Sequence, residues 1–127
     1  MKTTLIRSMT LALAAGIDWI DTAALYGNGV SETVIGQWLR TVPEPRRPRI
    51  STKFNIDTSA GDFAGQIERS VTASLERLGL ASVPVLILHS RVVGESSGRD
   101  KRSLSSKEVL GPSGIAGITI AFSFMRD

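Results

Sequence analysis

VPVLILH, Val83 to His89, is an unbroken apolar run that ends on a histidine. A strand with one wet face alternates polar and apolar residues, so a continuous run predicts a strand covered on both faces, the habit of a parallel sheet. Upstream, RISTKF (Arg49 to Phe54) and IDWID (Ile17 to Asp21) are two further β-prone runs, spaced at the roughly 30 residues that a βαβ unit needs. Helical patterns fill the intervals. Thr4 to Ala15 carries Leu5, Met9 and Leu13 at helical spacing and stops at Gly16. After the first strand, Ser31 offers a capping hydroxyl, Glu32 suits the positive end of a helix dipole, and Val34, Ile35, Trp38 and Leu39 share one face. VPEPRRP (Val42 to Pro48) ends that helix, because proline lacks the amide donor and restricts its predecessor. Phe63, Ile67, Val71, Leu75 and Leu78 form the stripe of a third helix, with Gly79 as its stop. The order helix, strand, helix, strand, helix, strand predicts parallel strands joined by helices.

Composition narrows the functions. The 127 residues suit one domain or part of one, 42% of them are hydrophobic and 21% charged, and no apolar run is long enough to cross a bilayer. A soluble, cytoplasmic protein is expected, with no membrane partner. Without cysteine and with a single histidine there is no thiolate nucleophile and little for a metal site, so no metal is expected. The net charge of +3 is modest, and no aromatic residue interleaves the basic RRPR stretch of Arg46 to Arg49, which reads as a solvated loop; nucleic acid is not an expected partner. MKTTLIRSMTLALAAG has the basic start and small residues of a secretory signal, but Arg7 shortens its apolar stretch and the helical spacing favours an amphipathic helix.

Both the open doubly wound sheet and the closed eight-fold barrel share this pattern, and both bind ligands beyond the carboxyl ends of their strands. No glycine-rich phosphate fingerprint follows any strand: YGNGV (Tyr26 to Val30) lacks the third glycine. The strand ends instead carry Asp21, Lys53 and His89, with Tyr26 in the loop after the first. Taken singly, Asp21 reads as a turn cap, Lys53 as a solvated strand end, His89 as a hydrogen-bonded histidine and Tyr26 as a turn aromatic. Their common position at the rim is what suggests chemistry, because neighbouring strand ends lie about 5 Å apart. A free phenol ionises near 10, and a nearby ammonium favours its phenolate. Lys53 is therefore expected to tune Tyr26 as a proton donor, Asp21 to hold the ammonium, and His89 to orient a substrate oxygen. Trp19 and Trp38 read as core residues.

IDTAALYG (Ile20 to Gly27), GVSETVIGQWL (Gly29 to Leu39), ISTK (Ile50 to Lys53), SVTASLERLG (Ser70 to Gly79) and LILH (Leu86 to His89) together resemble the aldo-keto reductase family. That resemblance implies a parallel (β/α)8 barrel of the TIM type, which needs about 250 residues, so residues 1–90 are expected to form an incomplete, roughly half barrel. It also implies reduction of an aldehyde, ketone or sugar-like carbonyl substrate, or the reverse oxidation, with NADPH, and low or no activity is expected of this chain alone. Asp21, Tyr26, Lys53 and His89 align with the family's catalytic four, and Asp21 also with a cofactor contact. The loops that hold the cofactor phosphates and the aromatic residue that stacks on the nicotinamide belong to the half that does not match. Pro84 replaces an acid often found before the fourth strand, and proline is tolerated at a strand start. Residues 91–127 read as a polar loop followed by a divergent or truncated tail, ITIAFSFMRD, that is prone to aggregate. The alternative is a non-catalytic half-barrel that self-associates or binds a protein partner through exposed strand edges.

Overall fold

The computed structural model describes residues 2–93 and 103–105, with side chains described as far as residue 90. In chain order the elements are α1 (Lys2–Ala14), β1 (Trp19–Asp21), α2 (Val30–Leu39), a 3-10 turn (Glu44–Arg46), β2 (Arg49–Phe54), α3 (Phe63–Leu78), β3 (Val85–Leu88), β4 (Arg91–Val93) and β5 (Ser103–Ser105). Strands β1, β2 and β3 lie side by side in that order in a parallel sheet, while β4 and β5 form a separate parallel pair. Three parallel strands with their helices make an incomplete α/β unit of the barrel type, and the described residues do not close a barrel. No helix among them is long and apolar enough to cross a membrane. The expected tail, ITIAFSFMRD, lies outside the described residues.

Chain contacts divide the molecule into two compact units, residues 1–54 with 70–87 and residues 55–69 with 88–127. In the first, Met9, Val34, Ile35, Trp38, Leu39, Ile50 and Leu78 form one buried core, with Ile6, Leu13 and Ile20 packed against it. The helix stops behave as chain chemistry predicts. Gly16 and Gly79 take φ of +92° and +67°, the left-handed conformation that glycine adopts without a Cβ clash. Gly36 serves a different need: a Cβ there would lie 2.2 Å from the Arg77 carbonyl oxygen, so its absence lets α2 and the end of α3 approach backbone to backbone. In the second unit, Gln66 at the start of α3 accepts from the Asp57 N–H and donates to the carbonyls of Asp57 and Gly61, tying down the loop before its helix.

Several expectations need correction. Ser31 does not cap α2, which starts a residue earlier behind Gly29; the Ser31 hydroxyl pairs with Thr22 Oγ1 at 2.9 Å. Glu32 does lie in the first turn of α2, as its charge suits, but it is wholly buried there. In α1 the inward face is Ile6, Met9 and Leu13, leaving Leu5 exposed. Trp38 is core, with its indole N–H donated to Thr10 Oγ1 at 3.0 Å, but Trp19 is 37% exposed. β3 is not covered on both faces, since Val85 and Ile87 are 37% and 39% exposed. An apolar run reports what a strand is able to bury and leaves open what covers it. In the RRPR stretch, Arg47 Nε donates to the carbonyls of Leu39 and Val42, both at 3.0 Å, and so ties this loop to the end of α2.

Candidate active site

The rim of the first unit is built by backbone register. Trp19, Ile20 and Asp21 pair with Arg49, Ile50 and Ser51, and the ladder runs on past β1 as the amides of Thr22 and Ala24 donate to the carbonyls of Ser51 and Lys53. Asp21 therefore sits opposite Ser51, two residues before Lys53. Strand side chains alternate, so Ser51 and Lys53 share one face of β2 and both reach Asp21, while Thr52 points to the other face. The segment after Thr22 then coils tightly. Gly27, Asn28 and Gly29 all have positive φ, and the Ser31 amide bonds back to the Tyr26 carbonyl, which fixes Tyr26 at the lip.

Lys53 is the hub. Its ammonium donates to Asp21 Oδ2 at 2.5 Å and to the Thr22 carbonyl at 2.8 Å, and it lies 5.0 Å from the centroid of the Tyr26 ring. The lysine side chain is only 12% exposed, whereas that of Asp21 is 49% exposed and Tyr26 is 44% exposed. A covered cation thus meets two groups that face outward. Burial of the stem works against its charge, but hydrogen bonding and attraction to Asp21, joined by attraction and hydrogen bonding to Tyr26, outweigh it and raise the Lys53 pKa above the ordinary lysine value of 10.5. The amine is therefore an ammonium throughout the neutral range.

A raised pKa in the folded state means that the fold holds this proton more tightly than the unfolded chain does. Its contribution to stability is complete below the ordinary lysine pKa and disappears as pH rises through the raised value. The stability gap between wild type and Lys53→Met is accordingly expected to be constant from pH 6 to about 9 and to narrow only above about 10.4. Urea unfolding across that range checks it, and a gap that closes by pH 8 would contradict it.

His89 belongs to the second unit, where its backbone carbonyl accepts from Asn55 Nδ2 at 2.9 Å and the following Ser90 hydroxyl accepts from the Ile56 amide at 3.2 Å. The residues that the first unit brings together are Asp21, Tyr26 and Lys53.

Sequence reasoning did not find the groups that support this rim. Ser51 Oγ donates to Asp21 Oδ1 at 2.7 Å and accepts from Trp19 Nε1 at 3.0 Å. Behind the strand, Thr52 donates to the buried carboxylate of Glu32 at 2.5 Å, and Arg77 meets the other oxygen of that carboxylate at 2.7 Å. The available signal was the period-two alternation of RISTKF, which sets Ser51 on the side of Lys53; no pattern links Glu32 to Arg77, 45 residues away.

The model of the aldo/keto reductase family matches residues 1–95. An aldo-keto reductase of Mycobacterium sp. strain MCS is 38% identical over 84 residues, covering 65% of this chain and 28% of that protein. Among solved structures, an aldo-keto reductase of Klebsiella pneumoniae in complex with NADPH superposes with a TM-score of 0.60 at 27% identity, over 71% of this chain and 30% of that one. A Pseudomonas aeruginosa protein assigned to the aldo-keto reductases superposes with a TM-score of 0.69 at 27% identity, over 98% of this chain and 45% of that one. The chain thus spans little more than a quarter of the length of the Mycobacterium relative.

Proposed function

The chain belongs to the aldo/keto reductase family, and from that premise we propose that its rim carries the proton-transfer half of a carbonyl reductase that uses a reduced nicotinamide nucleotide, NADPH by resemblance. The single observation that carries this reading is the Lys53 ammonium held between Asp21 and Tyr26 at the end of the β1–β2 ladder. The donor set fits such a nucleotide at its nicotinamide ribose. The Asp21 carboxylate accepts from Ser51 and Lys53 and is 49% exposed, so it would accept from a ribose hydroxyl at the surface of the rim. When bound, the nucleotide supplies a hydride to the carbonyl carbon.

The protein's own residues manage the proton. As the carbonyl π pair moves onto oxygen, the Tyr26 hydroxyl gives that oxygen its proton and leaves a phenolate. The Lys53 ammonium stabilises the phenolate, and the Asp21 carboxylate keeps the ammonium charged and aimed. Reprotonation of Tyr26 from solvent closes the cycle, which its 44% exposure allows. The proposed substrate is an aldehyde, ketone or sugar-like carbonyl compound, and the cysteine-free chain suits the reducing cytoplasm. His89, by its strand-end position and its match to the family's catalytic four, is proposed to orient the substrate oxygen.

Aldehyde-dependent loss of NADPH absorbance tests the reading. Lys53→Met is expected to lower kcat by about 10²-fold or more, the scale of a positioned acid–base group, with a smaller change in KM. Turnover in Lys53→Met equal to wild type would remove the tuning role. A second reading, a non-catalytic half-barrel that pairs with its own copy, draws support from the exposed Val85 and Ile87 of β3. A sedimentation mass of one chain would count against it.

A further inference from the structure

We propose that Ser51 and Trp19 are positioning residues that act together on the rim carboxylate, fixing which oxygen of Asp21 faces Lys53. The inference rests on the proton-transfer reading of the rim and extends it to two side chains outside the expected catalytic set. An indole N–H only donates, and a hydroxyl has a single proton. Trp19 Nε1 gives its proton to Ser51 Oγ at 3.0 Å and so occupies an acceptor position of that oxygen. The one hydroxyl proton is then directed to Asp21 Oδ1 at 2.7 Å. The chain of donors runs one way, from indole to hydroxyl to carboxylate.

Direction matters because the last torsion of an aspartate is broad and roughly two-fold, so a half-exposed carboxylate beside a lysine has no fixed face of its own. With Oδ1 held by Ser51, Oδ2 is the oxygen presented to the ammonium. The backbone sets the separation, since Asp21 and Ser51 are register partners and Ser51 is 2% exposed. The indole is steadied from outside: the Arg49 guanidinium lies 4.8 Å from the centroid of the Trp19 ring and is itself paired with Asp18 at 3.0 Å. A tryptophan 37% exposed at a strand end thereby has a task other than filling the core.

The test uses the two tryptophans of the chain as separate reporters. Trp19 bonds Ser51, and Trp38 bonds Thr10 within the core. In indole ¹⁵N–¹H spectra of the full chain, Ser51→Ala is expected to move the Trp19 signal upfield and leave the Trp38 signal in place. In a lysine side-chain NMR titration, the Lys53 midpoint is expected to fall toward the ordinary lysine value: among the described residues Asp21 and Tyr26 are the ionisable groups that act on it, and the carboxylate is no longer aimed. Trp19→Phe, a change at a half-exposed site, is expected to lower the same midpoint by a smaller shift. An unmoved Lys53 midpoint in both variants would overturn the proposal, and so would a Trp38 signal that moves together with that of Trp19. Neither readout uses turnover. Absent NADPH oxidation with both shifts intact would sink the reductase reading alone, and normal oxidation with an unmoved midpoint would sink the positioning alone.

Discussion

Arg77→Met is expected to lower the free energy of unfolding by about 3–5 kcal/mol, the usual cost of stranding one member of a buried ion pair. The carboxylate left behind is that of Glu32, which is 0% exposed. Arg77 meets Glu32 Oε2 through both Nε and Nη2 at 2.7 Å, while Thr52 donates to Oε1. The guanidinium has room because Gly29 has no Cβ; one added there would lie 2.9 Å from Arg77 Cδ. The cluster joins α2, β2 and the last turns of α3, and Ser74 adds a further contact to Arg77 at 3.3 Å. Removing both charges together, in Glu32→Gln with Arg77→Met, is expected to recover much of the loss, since the double change leaves no unpaired buried charge. Urea denaturation of the two single variants and the double variant measures the coupling. A loss under 1 kcal/mol in Arg77→Met would contradict this role.

The elements were legible where periodicity and punctuation agree. RISTKF became β2 at its expected bounds, the Phe63 to Leu78 stripe became α3, and both stop glycines took positive φ. The start of α2 was less legible, because three successive left-handed residues, Gly27 to Gly29, deliver the chain into the helix without the Ser31 hydroxyl. Burial of Trp19 and of β3 was not legible, for the covering of a sheet face is a tertiary matter. For the site, strand ends pointed to Asp21 and Lys53, which the structure pairs. Ser51 lies inside β2 and not at its end, so only the alternation that sets it on the same face as Lys53 marks it in the sequence. Glu32 resembled an ordinary first-turn acid, and only the partner brought in from α3 marks it as a buried anchor.

Tyr26→Phe is expected to lower the rate of carbonyl reduction by about 10²–10⁴-fold, the range for losing a positioned general acid. The substitution keeps the ring, its packing and its 44% exposure at the lip, and removes only the hydroxyl. The Asp21–Lys53 pair does not depend on that oxygen for its own hydrogen bond, so the fold is expected to persist. The loss should fall on kcat and leave nucleotide affinity nearly unchanged, because the phenolic proton is used at the step where charge develops on the carbonyl oxygen. A variant that lost activity and nucleotide binding together would instead mark Tyr26 as a binding group.

The most direct measurement is aldehyde-dependent NADPH oxidation at neutral pH by the wild-type chain beside Tyr26→Phe, with nucleotide binding followed by fluorescence in the same samples. The account predicts turnover in the wild type, a loss of at least about 10²-fold in the variant, and equal nucleotide affinity. Equal rates in the two proteins, or no aldehyde-dependent oxidation by the wild type, would contradict it.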